Sequence, residues 1–234
     1  MKKTSSYSSI LGTSAAPNRA QSFWLRGIIC AGILLFTCYC SNAQSWIWGQ
    51  GSSVSSESDT YGAYIGTDQN GNVYVTGAYA NSITFGSHTI TDASDEMFLV
   101  KYDQNGNVVW VRQPVAGPAT SSETFGIAVD KSGNIYVTGY FGANSLTFGT
   151  YTLPGGNGFL VKYDPNGNVL WALCPPGQGM AVTTDKYNCV YVSAGYYTIA
   201  KYDSNGHMIR QFRIPGSSLG VNTMCTDNNA NLYL

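Results

Sequence analysis

The sequence predicts an all-β chain assembled from repeated four-stranded units, and three observations carry that prediction. The string "KYDQNGNVVW" at 101–110 returns as "KYDPNGNVLW" at 162–171 and, altered, as "KYDSNGHMIR" at 201–210. A second string, "DQNGNVYVTG" at 68–77, returns as "DKSGNIYVTG" at 130–139 and "DKYNCVYVSA" at 185–194, and "DNNANLYL" at 227–234 begins a fourth copy. The 234 residues include 17 Tyr and 27 Gly but only 11% charged side chains, a composition that favours ordered strands and turns over disorder.

From the N-terminus, residues 1–43 carry Lys2, Lys3, Arg19 and Arg26 and no acid, while all 13 acidic residues of the chain follow position 50. A basic start, the apolar run "GIICAGILLF" at 27–36 and the small residues Ser41 and Ala43 before Gln44 have the layout of a secretory signal peptide over 1–43. The apolar run is well short of the ~20 residues that span a bilayer, which disfavours a permanent anchor. Attachment of lipid at Cys38 or Cys40 is disfavoured by their neighbours Thr37 and Tyr39. Contact with a membrane is therefore expected only during export. Residues 44–234 are net acidic and carry no basic stripe, so nucleic acid is excluded as a partner. Cys174, Cys189 and Cys225 lie beyond the leader; their spacing matches neither a metal site nor a disulfide framework, and buried unpaired thiols in strands are expected, the alternative being one disulfide with one free thiol.

The turn sets the local structure. In "DPNG" at 164–167, Pro165 fixes φ near −65°, which excludes a type I′ turn; a type I turn followed by Gly in the left-handed region fits all four residues. Asp fits the first place because its carboxylate can accept the amide two residues ahead. Asn188 and Ala230 replace the turn glycine in two copies; Asn tolerates positive φ, whereas Ala suits it poorly, so the 227–230 turn is expected to differ.

Two hairpins in succession make one unit. Units are expected at 61–113, 125–174 and 179–214, with a partial unit at 219–234. The equivalent residues Asp68, Asp130, Asp185 and Asp227 are 62, 55 and 42 residues apart, a period and strand count that predict β-propeller blades. "NVYVTG" and "MFLVKY" are apolar or aromatic on both faces, as sheets covered on both sides require. Trp110 and Trp171, with Phe212 read as the third copy, are expected to pack between blades. Trp48 precedes Asp68 by the same 20 residues that separate Trp110 from Asp130, which makes 45–50 a lone outer strand of the kind that completes a ring's last blade. About three and a half blades are counted, an open ring expected to be truncated.

The strings "GNVYVTG", "TFGS" and "FLVKYDQNGNVVW" resemble the bacterial SBBP repeat, a β-propeller repeat, over nearly all of residues 45–234. The leader ending "SNAQS" is similar to those of secreted or surface proteins of Gram-negative bacteria whose C-terminal domain directs export. What the resemblance implies is an extracellular module with a binding or structural role, its partner a glycan or a protein, and no shared catalytic motif. The alternatives are a propeller enzyme acting on polysaccharide and an architectural spacer ahead of a sorting domain.

The tight Asp-x-Asn-Gly turns are expected at one end of the ring and the varied connections 80–95, 114–124 and 142–156 at the other, where function is sought. Glu57, Asp59 and Glu123 in linkers between blades, with Asp92, Asp95 and Glu96 beside the first insert, form the candidate ligand face, for sugar hydroxyls or a calcium ion. The bland alternative, solvated loop charge, is the commoner fate of such residues. No cofactor and no catalytic residue is otherwise expected. Asp103, Asn105 and Asn107 imitate a calcium loop, but Gly106 stands at its fourth place rather than the sixth and no Glu closes it, so a hairpin turn is expected. Lys101, Lys162 and Lys201 recur in every unit and are assigned to the frame. His88 and His207 are expected to be exposed, and the "TFG" segments at Phe85 and Phe148 to form small extra hairpins.

Overall fold

The computed structural model describes residues 48–54, 60–117, 121–142, 144–156, 158–195, 197–214 and 220–234, all within the compact unit Ser45–Leu234. The expected leader at 1–43, residues 45–47 of the expected outer strand, and Glu57 and Asp59 lie outside the described residues. No described helix is long and apolar enough to cross a membrane.

Among the described residues all regular structure is antiparallel β. After the short β1 (Ser53–Val54), the first blade comprises β2 (Thr60–Thr67), β3 (Val73–Phe85), β4 (His88–Tyr102) and β5 (Val108–Arg112). β6 (Val115–Ala116) leads to the second blade of β7 (Ser122–Val129), β8 (Ile135–Phe141), β11 (Gly158–Tyr163) and β12 (Val169–Leu173), into which the hairpin β9 (Ser145–Phe148) and β10 (Tyr151–Pro154) is inserted. The third blade is β13 (Val182–Thr184), β14 (Val190–Ser193), β15 (Thr198–Tyr202) and β16 (Met208–Arg213), followed by the pair β17 (Cys225–Thr226) and β18 (Leu232–Tyr233). Each four-stranded sheet is a meander in chain order. The first strands are neighbours in succession, β2 beside β7, β7 beside β13 and β13 beside β17, so they form the inner side of the arc.

The turns form as their chemistry dictates. In all seven Asp turns the amide of the fourth residue donates to the Asp carbonyl, and the Asp amide donates to the residue that follows the turn. Asp130 shows the side-chain part. Its Oδ1 accepts the amides of Ser132 and Asn134, each at 2.9 Å, and its Oδ2 accepts Asn134 Nδ2 at 2.8 Å and Tyr136 Oη at 3.1 Å. The fourth turn does not differ: Ala230 adopts φ 65° and keeps both backbone bonds. The Asp227 carboxylate, bonded to Asn229, Asn231 and Tyr233, holds Ala230 in a conformation that costs an L-residue about 1–2 kcal/mol.

The blades cover one another. Tyr74, Met97, Leu99 and Trp110 of the first share a buried cluster with Ile135, Val137, Phe159 and Val161 of the second. Tyr136, Leu160 and Trp171 do the same against Val190, Val192 and Ala200 of the third, and Tyr191 and Ile199 against Val221 and Met224. Alternation along each strand explains this, since successive side chains point to opposite neighbours. Tyr74 faces forward, while Val73 and Val75 pack behind it with Phe85, Phe98 and Tyr102.

One set of bonds bolts the first blade to the second and the second to the third. Trp110 Nε1 (3.3 Å) and Lys101 Nζ (2.9 Å) both donate to Pro165 O, the second residue of the next blade's turn. Trp171 Nε1 (3.1 Å) and Lys162 Nζ (2.9 Å) likewise donate to Ser204 O, and Trp48 Nε1 donates to Gln104 O at 3.2 Å. Each indole lies over the turn glycine: a Cβ on Gly106 would stand 2.7 Å from Trp48, and one on Gly206 3.1 Å from Trp171. Glycine is thus required there for space as well as for its positive φ. Lys201 bonds Asp185 of its own blade instead, at 3.3 Å.

Two expectations are corrected and one is met. The residue at the Trp register of the third blade is Arg210, opposite Lys201 as Trp110 is opposite Lys101; Phe212 pairs with Ile199, at the place of Arg112 and Leu173. The small extra hairpins expected at Phe85 and Phe148 do form: β3 and β4 run on as a paired ribbon within 80–95, and β9–β10 is its detached counterpart within 142–156. β1 and β6 each add a third strand to these hairpins, by pairs such as Val54↔Ile83 and Ala116↔Leu146 that no repeat announced. Finally, the three cysteines are free but not buried: Cys174 and Cys189 are half-buried, Cys225 is exposed, and Cys225 alone lies in a strand.

Candidate functional site

Two places remain once the repeated residues are accounted for. The first is the end opposite the turns, where the ribbon of β3–β4 meets the start of β7. Of the six sequence-nominated carboxylates, Asp95 is exposed, Asp92 and Glu123 are half-buried, and Glu96 is fully buried. Glu96 therefore does not present its carboxyl to a surface ligand, contrary to expectation. It pairs with Tyr79 across the sheet, and Ser122 Oγ donates to its Oε2 at 2.5 Å. Burial pushes the Glu96 pKa up to about 7, opposed by the Ser122 hydrogen bond and reinforced by the negative charge of Asp92 and Asp95. Burial, with the fields of Asp92 and Glu96, also raises the Tyr79 hydroxyl, which donates to Gln113 Oε1 at 2.7 Å. Among the described residues no three acidic, His or Cys side chains are grouped so as to hold a metal ion.

The second place was not nominated by the sequence. A cleft of about 320 Å³ on the inner side of the arc is lined by Tyr64, Ile65, Phe125, Ile127, Asn222 and Thr223, among others. Its walls are the inner strands β2, β7 and β13 and the segment before β17, and none of its lining residues is a carboxylate, Lys, Arg or His. An aromatic, amide and hydroxyl lining suits an uncharged ligand that offers apolar ring faces and hydroxyls. The first strands were legible as strands, but the side facing the axis depends on how sheets stack, which no spacing reports.

The residues that resembled sites belong to the frame. Asp103 Oδ1 accepts the amides of Asn105 and Asn107, and its Oδ2 accepts Asn107 Nδ2, so this carboxylate is occupied by its own turn. The carboxyls of Asp68, Asp164 and Asp185 are pushed up by partial burial, but the amide and side-chain donors around them outweigh it and hold them below the usual range. His88 and His207 are exposed, and His207 Nδ1 lies 3.1 Å from Asp203 Oδ2.

Residues 109–140, from the outer strand of one blade to the second strand of the next, match a family model described as a beta-propeller repeat (SBBP). The chain is a β-propeller repeat protein. The propeller is 32% identical over 136 residues to an uncharacterized WD repeat-containing protein of Acanthamoeba polyphaga mimivirus. That match covers 50% of this chain and 10% of the relative, so the propeller spans about a tenth of that relative's length. Among solved structures it is similar to a protein of unknown function from Bacteroides caccae (TM-score 0.41, 13% identity, 74% of this chain and 52% of that one). It is similar also to a gluconolactonase from Xanthomonas campestris (0.42, 12%, 72% and 51%) and to the Pan2 WD40 domain of Neurospora crassa (0.42, 12%, 72% and 54%).

Proposed function

We propose that the chain is a secreted or cell-surface propeller module of Gram-negative type with a non-catalytic binding or structural role, its ligand an extracellular glycan or protein. The observation that carries the reading is the fate of the repeated polar residues. The turn Asp residues are engaged in their turns, Lys101, Lys162 and the outer Trp residues in bolts between blades, and Lys201 on Asp185 of its own blade, which leaves the inner cleft with an uncharged lining. General acid–base chemistry needs a titratable group within reach of the substrate, and the described cleft lining offers Tyr64 alone. The basic, acid-free leader at 1–43 supports export. Screening the full chain against an array of neutral and acidic glycans tests the reading. Binding of neutral glycans that is lost on Phe125→Ala and Asn222→Ala supports it, whereas turnover of any glycan by the wild-type chain refutes it.

A further inference from the structure

One buried carboxyl stands apart from the repeat. Glu96 has no exposed surface, and its Oε1 has no hydrogen-bond partner among the described residues. Its Oε2 is held by Ser122 Oγ at 2.5 Å, and the same Ser122 oxygen accepts the Met97 amide at 3.0 Å. A single hydroxyl thus joins β4 of the first blade to β7 of the second. An ionised carboxylate in such a place needs several donors or a cation, because a buried charge without them is strongly disfavoured. Instead Glu96 is faced by Asp92 and Asp95 from its own strand and by the neutral Tyr79 hydroxyl from β3. From β7 it is faced by Ser122, with Glu123 next in the chain, and no Lys, Arg or His of the described residues acts on it.

We propose that Glu96 and Ser122 form a proton-operated latch between the first and second blades, closed when Glu96 is protonated and loosened when it ionises. The repeat does not copy this carboxyl in sequence: counted back from Lys101, Lys162 and Lys201, the position of Glu96 is held by Asn157 and Tyr196 in the other units. The sign follows from the direction in which the pKa moves. The closed form holds its proton up to about pH 7, whereas an opened, hydrated Glu96 loses it near the ordinary value of 4.5. The latch is therefore strongest below pH 4.5, weakens as pH rises to 7, and stays weak above. This inference is independent of what the inner cleft binds.

Hydrogen exchange of the Met97 amide in the full chain, corrected for its intrinsic rate, reads the opening directly. Between pH 4.5 and 8 the opening constant rises about a hundredfold, while that of Val137 in the second blade's interior does not follow. Glu96→Gln flattens the Met97 profile. Ser122→Ala, which removes the bond that holds the pKa down, moves the midpoint of the closed form above 7, a displacement that a purely structural serine would not produce. Carbon-13 titration of the Glu96 carboxyl in the wild-type chain decides the matter even if a variant fails to fold. A midpoint near 7 supports the latch; a midpoint below 5, or an unchanged pH profile in Glu96→Gln, overturns it.

Discussion

Replacing Trp110 by Ala tests whether the indoles join the blades. Trp110 is 6% exposed, its ring centroid lies 6.0 Å from that of Tyr74 in its own blade, and its Nε1 reaches Pro165 O at 3.3 Å in the next. A Cβ on Gly167 would stand 3.0 Å from its ring, so truncation opens a cavity between two rigid sheets rather than at a surface that can close. Large-to-Ala changes of buried aromatics cost about 3–5 kcal/mol. Trp110→Phe keeps most of the ring and gives up one hydrogen bond; Pro165 O retains Lys101 at 2.9 Å, so the carbonyl is not orphaned and the cost falls to about 1 kcal/mol. Val109→Ala, on the same strand but 47% exposed, is the control, at about 0.5 kcal/mol or less. Urea unfolding followed by far-ultraviolet circular dichroism measures all three without relying on the deleted fluorophore. A Trp110→Ala cost below about 1 kcal/mol, or one equal to that of Val109→Ala, would refute the assignment.

Three further outcomes are expected. Gly106→Ala loses about 2–3 kcal/mol, since its Cβ meets Trp48 at 2.7 Å and φ is +83°, whereas Gly71→Ala, with φ +79° and only Gln104 Cβ at 3.5 Å, loses about 1 kcal/mol. Thermal melts, with Trp48 emission shifting to the red only in Gly106→Ala, distinguish the two. Ala230→Gly relieves the strain at φ 65° and slows exchange of the residue-230 amide about fivefold. For pH, the Asp68, Asp164 and Asp185 carboxyls are depressed below 3.8 in the fold, so their contribution is fully present above that value and is lost as pH falls through the folded pKa values. Acid unfolding should begin below about pH 4, and Asp185→Asn should both destabilise the neutral protein and shallow that acid limb.

Much of the frame was legible because it is local. "DPNG" dictates its turn through the fixed φ of Pro165 and the donors around Asp164, and every copy repeats it, Ala230 included against expectation. The Ala230 turn departs from the expectation because backbone preference alone does not contain the four bonds to Asp227 that hold it. Phe212 does not take the Trp place, because aromatic character does not set register: counted from Lys201, that place falls to Arg210. The candidate site was less legible. Glu96, Asp92 and Asp95 were found as neighbours in sequence, yet nothing in that proximity indicated that Glu96 is buried against Ser122 of another blade, 26 positions away.

The repeat by itself determined strand order, turn type and the need for stacked neighbours, because a hairpin is specified by residues within a few positions of one another and two-sided apolar strands require cover on both faces. Tertiary structure alone decided which faces meet. It placed Trp110 and Lys101 on one carbonyl 55 and 64 positions away, turned Tyr64 and Phe125 toward a shared cleft, and enclosed the Glu96 carboxyl. Those outcomes depend on how twisted sheets seat against one another, and that fit is a property of surfaces distant in the chain.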